Sequence, residues 1–174
     1  MIDGNVSFSD VFFSAAVFCA LAMLLVAAVV SDLRSHRIPN IILAPALSLA
    51  LLLQTMHGGV DGLIMAIGGL ALGLVMFLPI YFIGGMAAGD IKLLGVVGCF
   101  LGPWGAVLAG LATVMIGAIF GIIAIVRRLV GPVLELHPAR SQERLSSMPY
   151  APAIAAGTLT ALWYIGFLPQ QVPG

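Results

Sequence analysis

From the N-terminus onward, long apolar stretches alternate with short polar interruptions, and the apolar stretches reach the roughly 20 residues a helix needs to cross about 30 Å of hydrocarbon. The first runs over 11–30 without a charge and stops at Ser31-Asp32-Leu33-Arg34-Ser35-His36-Arg37, which reads as a polar loop. Proline suits the first turn of a helix, where its missing N–H would have been unpaired anyway, so Ile38-Pro39-Asn40 predicts a second span over 39–56. His57-Gly58-Gly59-Val60-Asp61-Gly62 predicts a tight turn. A third span follows over 63–83, with Gly69 and Gly73 at the spacing that lets two membrane helices approach closely.

The next polar interruption is Gly84-Gly85-Met86-Ala87-Ala88-Gly89-Asp90-Ile91-Lys92, and the fourth span, over 86–101, ends at Gly102-Pro103-Trp104. Counted only from Ile91 to Leu101 it would measure about 17 Å at 1.5 Å per residue, too short to cross. Starting it at Met86 adds length and draws Asp90 into its first turn. A fifth span over 105–126 ends at Arg127-Arg128, and the polar segment 127–149, with Glu135, His137, Arg140, Glu143 and Arg144, predicts an exposed loop. A sixth span over 150–168 closes the chain. The expected fold is all-α, a polytopic transmembrane helical bundle of about six spans forming a single domain over 1–174.

Composition agrees: 61% of the residues are hydrophobic and 8% charged, where a soluble domain has about a quarter charged. The 7 Lys and Arg all fall in the connections after spans one, three and five: Arg34 and Arg37, then Lys92, then Arg127, Arg128, Arg140 and Arg144. Cytoplasmic loops carry the excess of such residues, so these connections are expected inside and both termini outside, an N-out/C-out arrangement. They are too few for a nucleic-acid surface, and no nucleic-acid partner is expected. No Lys or Arg precedes Arg34, and Asp3 and Asp10 lie in the tail, so the first apolar run is expected to be a retained anchor rather than a cleaved signal. Cys19 and Cys99 read as small packed hydrophobes. With no CxxC pair, and with His36, His57 and His137 dispersed, no metal site and no cofactor are expected.

An ionisable residue at a membrane segment is a functional-site hypothesis by default, and Asp32 and Asp90 both stand at junctions on the same side. The second and third spans form one out-and-back excursion between them, which permits the two acids to meet. Two carboxyls a few ångströms apart hold one proton between them and titrate as a unit. The ionised member of such a dyad can take a proton from water while the protonated member hydrogen-bonds a scissile carbonyl, which hydrolyses an amide without metal, serine or thiol. The structural alternative pairs Asp32 with Arg34 or Arg37 and makes Asp90 a helix cap. Lys92 then snorkels to the interface, and Tyr150, between Pro149 and Pro152, either lines a site or joins the interfacial aromatic belt. A rival from another class is a small ion- or proton-coupled transporter in which the acids relay ions. Against it, neither acid lies mid-span.

These motifs resemble those of the prepilin peptidases, membrane aspartyl proteases of the GxGD class. Asp32-Leu33-Arg34-Ser35-His36-Arg37-Ile38-Pro39-Asn40 is similar to the family's first motif, an Asp followed by basic residues and Ile-Pro-Asn. Gly85-Met86-Ala87-Ala88-Gly89-Asp90-Ile91-Lys92-Leu93 is similar to its second, and Pro149-Tyr150-Ala151-Pro152-Ala153 to a weaker third feature at the start of the last helix. The resemblance implies removal of the leader peptide from type IV pilin-like precursors, prepilins or pseudopilins, at the cytoplasmic face of the bacterial inner membrane. It implies Asp32 and Asp90 as the catalytic pair. It also points to Gly85, Ala87, Gly89, Lys92, Arg37, Pro39, Asn40, Pro149 and Tyr150 as site-shaping or substrate-proximal positions. The compact chain resembles the short peptidases of tight-adherence (Tad/Flp) pilus systems. Two departures stand out. The GxGD pattern reads Ala87-Ala88-Gly89-Asp90 here, which leaves open a non-catalytic pilus-assembly protein that binds pilins without cutting them. The cysteine-rich, zinc-binding insertion of larger bifunctional members is absent, so methylation of the new pilin N-terminus is not implied.

Overall fold

The computed structural model describes residues 8–35, 38–82, 86–130 and 150–167, and all regular structure among them is helical. Four helices follow one another: α1 (Phe8–Ser35), α2 (Asn40–Phe82), α3 (Ala88–Val130) and α4 (Ala151–Phe167).

Both long helices double back on themselves at a glycine. In α2 the reversal is at Gly59, with φ 58° and ψ −133°, a left-handed φ that a residue without Cβ adopts at little steric expense. A Cβ on Gly62 would run into the backbone of Gln54, positions that a straight helix would hold about 12 Å apart. Arms 40–58 and 60–82 therefore run antiparallel. In α3 the reversal is at Gly102, with φ 73° and ψ −178°. The extended ψ is what the following Pro103 demands, and the positive φ is what glycine permits. A Cβ on Gly98 would lie 3.0 Å from that of Ala106, so arms 88–101 and 103–130 also run antiparallel. Both reversals fall where the glycine and proline signals predict turns.

The end of the first element differs from expectation. Ser31 to Ser35 is the last stretch of α1, not part of a loop. Those five positions contain no Gly or Pro to stop the backbone ladder. The Ser35 hydroxyl donates to the Ser31 carbonyl at 2.8 Å, and Arg34 in the last turn complements the negative end of the helix dipole. Helix α3 likewise continues to Val130, past the expected boundary near 126.

Arm 88–101 is the centre of the molecule. Every residue from Leu93 to Phe100 is buried, the signature of a helix surrounded on all sides. Arm 60–82 crosses it at glycines: a Cβ on Gly69 would overlap the Gly98 backbone, and one on Gly73 would lie 2.7 Å from the Leu94 carbonyl oxygen. This is the close approach their spacing predicts. Helix α4 packs against arm 103–130, where a Cβ on Gly157 would lie 2.7 Å from Thr113 N. Near the two reversals, Gln54 Nε2 donates to the Phe100 carbonyl at 2.6 Å. That carbonyl sits at the end of an arm, where the helical ladder offers no donor of its own.

The stretches Val11–Ser35, Asn40–Phe82 and Ala88–Ile123 are long and apolar enough to cross a membrane, and Ala151–Ile165 is a shorter apolar helix. Large apolar side chains such as Met23, Val26, Ile41, Met56 and Phe82 cover the outside, as lipid contact requires. The protein is a helical membrane protein.

Candidate active site

The buried positions of α1 recur as Leu21, Leu24, Leu25 and Ala28, and the next on that face is Asp32. Because the helix persists through Ser35, the face persists with it, and Asp32 is turned inward with only 5% of its surface exposed. Asp90 arrives from a different element. It is in the first turn of α3, its N–H donates to the Ala87 carbonyl at 3.1 Å, and it too is 5% exposed. The two carboxyls are within electrostatic reach of each other. The sequence-predicted pairing of Asp32 with Asp90 thus has a structural counterpart at one end of the molecule, where the end of α1 meets the start of α3.

The start of α4 reaches the same place. The Ala151 backbone N–H donates to Asp32 Oδ2 at 3.1 Å, and among the described residues this is the one hydrogen bond of that carboxyl. Ala151 is completely buried.

Other expected site residues are distributed unevenly around this point. Gly89 packs against the segment leading into α2: a Cβ there would lie 3.2 Å from Ile38 Cβ and 3.4 Å from Ile38 N. Its missing side chain therefore lets the two motifs touch. Lys92 does not turn to Asp90; its exposed ammonium donates to Asn40 Oδ1 at 3.2 Å and ties the same two segments together. Pro39, also exposed, accepts a 3.1 Å bond from Ile42 N through its carbonyl at the entry to α2. Tyr150 lays its ring beside Gly117 of α3, where an added Cβ would sit 3.2 Å from Cε1, and accepts a 3.0 Å bond from Ile154 N. Ala87 is exposed, so its methyl group occupies no space that the buried acids need. Gly85, Arg37 and Pro149 lie outside the described residues.

Two participants escape sequence reasoning. Ala151 acts through its backbone, which no side chain advertises; the signal for it is Pro152, a proline marking the first turn of a helix. Ile38 is a buried apolar residue placed between Arg37 and Pro39, an unusual site for one in a polar connection. Among the described residues no three His, Cys, Asp or Glu side chains group as a metal site would require. What the described arrangement offers is two buried carboxyls, Asp32 from α1 and Asp90 from α3, at one end of the molecule.

The sequence profile of the type IV leader peptidase family matches residues 19–122, more than half of the chain, with both acids inside. The chain belongs to the type IV leader peptidase family. It is 35% identical over 157 residues to the prepilin leader peptidase/N-methyltransferase of Bacillus subtilis (strain 168), an alignment covering 87% of this chain and 56% of that protein. The chain therefore spans little more than half the length of this curated relative. No solved structure matches it significantly. The family match ends before α4, while the structure brings the first residue of that helix to Asp32 through its backbone N–H.

Proposed function

We propose that this type IV leader peptidase family member is an aspartyl endopeptidase that removes the leader peptide of type IV pilin-like precursors, with those of Flp/Tad systems as its substrates. The observation that carries the proposal is the meeting of two buried acids, Asp32 from α1 and Asp90 from α3, within electrostatic reach of each other. Burial of two such groups is expensive in a membrane protein, and neither has an Arg or Lys bonded to it among the described residues. In the reaction, the ionised member of the pair takes a proton from water as the oxygen attacks the scissile carbonyl. The protonated member hydrogen-bonds the carbonyl oxygen as it gains charge. Collapse of the tetrahedral intermediate breaks the C–N bond, and a proton passes to the leaving amine, giving a leader with a new carboxylate and a pilin with a free N-terminus.

The same reading sets the protein in the bacterial cytoplasmic membrane, with six crossings and both termini outside. The reversals at Gly59 and Gly102 supply the additional turns this needs, and the basic residues Arg34, Arg37, Lys92, Arg127, Arg128, Arg140 and Arg144 supply the orientation. Arm 88–101 is short for a crossing. At 1.5 Å per residue it measures about 21 Å against about 30 Å of hydrocarbon, which draws Asp90 to the membrane edge, where water and a membrane-anchored substrate both reach it.

The test is the mass of the product when purified protein is mixed with a pilin precursor. Two fragments whose masses sum to the precursor plus one water, the leader and the shortened pilin, are expected. An intact precursor contradicts the proposal, and ion flux in proteoliposomes without proteolysis would favour transport instead.

A further inference from the structure

We propose that the backbone N–H of Ala151 is a positioning group for catalysis, fixing the Asp32 carboxyl so that the start of α4 is a working part of the active site. The inference rests on the peptidase reading above. Ala151 is the first residue of α4, and the first N–H groups of a helix have no partner within it. This one is spent on Asp32 Oδ2 at 3.1 Å, with donor and acceptor both buried. A side-chain carboxyl held by one bond from a fixed backbone keeps one rotamer. With Oδ2 accepting this bond, Oδ1 has no hydrogen bond among the described residues.

The donor is itself held firmly. The ring of Tyr150 lies against Gly117, Gly157 lets α4 sit on the Thr113 backbone, and the Thr158 hydroxyl is satisfied within α4 by the Ile154 carbonyl at 2.8 Å. Arm 103–130 thus sets where α4 begins, and α4 sets how Asp32 points. The positive end of the α4 dipole also faces the acid. Nothing in the side chain of Ala151 takes part, so the role belongs to the amide and is tested by removing the amide.

Two variants remove it in complementary ways. Replacing Ala151 by lactic acid turns the amide into an ester of nearly the same shape, but weakens the Tyr150 carbonyl as the acceptor of Ile154 N. Ala151→Pro leaves that carbonyl strong and fits the φ of a first helical residue, but adds bulk in a buried place. The shared loss is the N–H. With wild-type cleavage of a pilin precursor established first, both variants are expected to lower kcat about tenfold or more, with KM within about twofold and thermal melting of the purified protein little changed for the ester. An ester at Ala153, whose N–H is also in the first turn but has no bond to Asp32, keeps wild-type kcat. The inference is overturned if the Ala151 ester turns over at the wild-type rate, if its loss appears in KM, or if the Ala153 ester loses as much. A wild-type protein that cleaves nothing overturns the peptidase reading, and this inference with it.

Discussion

Gly89 has almost no room for a side chain, because Ile38 closes on it from the segment between α1 and α2. Gly89→Ala must push that segment or the first turn of α3 by a few tenths of an ångström, one residue from Asp90. Since small misplacements of reacting groups are costly, this variant is expected to accumulate in membranes and to lose about tenfold in kcat/KM, measured by precursor cleavage. Full activity in Gly89→Ala would show that the contact does not set the site. Asp32 and Asp90 are legible in the sequence because a charge between apolar runs demands an explanation. The Lys92 to Asn40 bond and the Ala151 N–H are not legible. The first depends on which of several polar neighbours a long flexible side chain chooses, and the second on a backbone group that every residue type but proline carries.

Among the elements, the crossing of arms 60–82 and 88–101 depends on glycine facing glycine. Gly69→Val is expected to lower the melting temperature and the folded yield sharply, since overpacking costs about 1–3 kcal/mol or more and the obstacle is the Gly98 backbone, which cannot rotate away. Gly58→Ala, with open space around its Cβ, is the control expected to melt like wild type. The Phe100 carbonyl gives a second element-level prediction. Gln54→Leu leaves it without its 2.6 Å donor, and a loss of about 1–3 kcal/mol is expected in thermal or denaturant unfolding; an unchanged stability would mean the bond is replaced by another donor. Spacing announces Gly69 and Gly73, and Gly-Gly and Gly-Pro announce the reversals. The five residues 31–35 are misread because their polarity suggests a loop, whereas the backbone only needs the absence of a breaker and a way to bury one face. That single difference decides the site, for it is the continued helix that carries Asp32 onto the face of Leu21, Leu24, Leu25 and Ala28.

For the whole molecule, the ends of α1, α2, α3 and α4 near the acids gather on one side, and the reversals at Gly59 and Gly102 are joined by the Gln54 bond on the other. With Cys19 and Cys99 replaced by alanine, a cysteine introduced at Asp61 is expected to react with an impermeant maleimide from outside the cell. One at Arg34 is expected to react only after permeabilisation. The reverse pattern would invert the proposed orientation. The central claim is that acids from two helices form one catalytic unit, and the most direct measurement of it is kcat/KM for Asp32→Asn, Asp90→Asn and the double variant on one pilin precursor. Groups that act as a unit are not additive, so each single variant is expected to lose at least about 10⁴-fold, with the double variant no worse. Either single variant cleaving within tenfold of wild type would contradict the account.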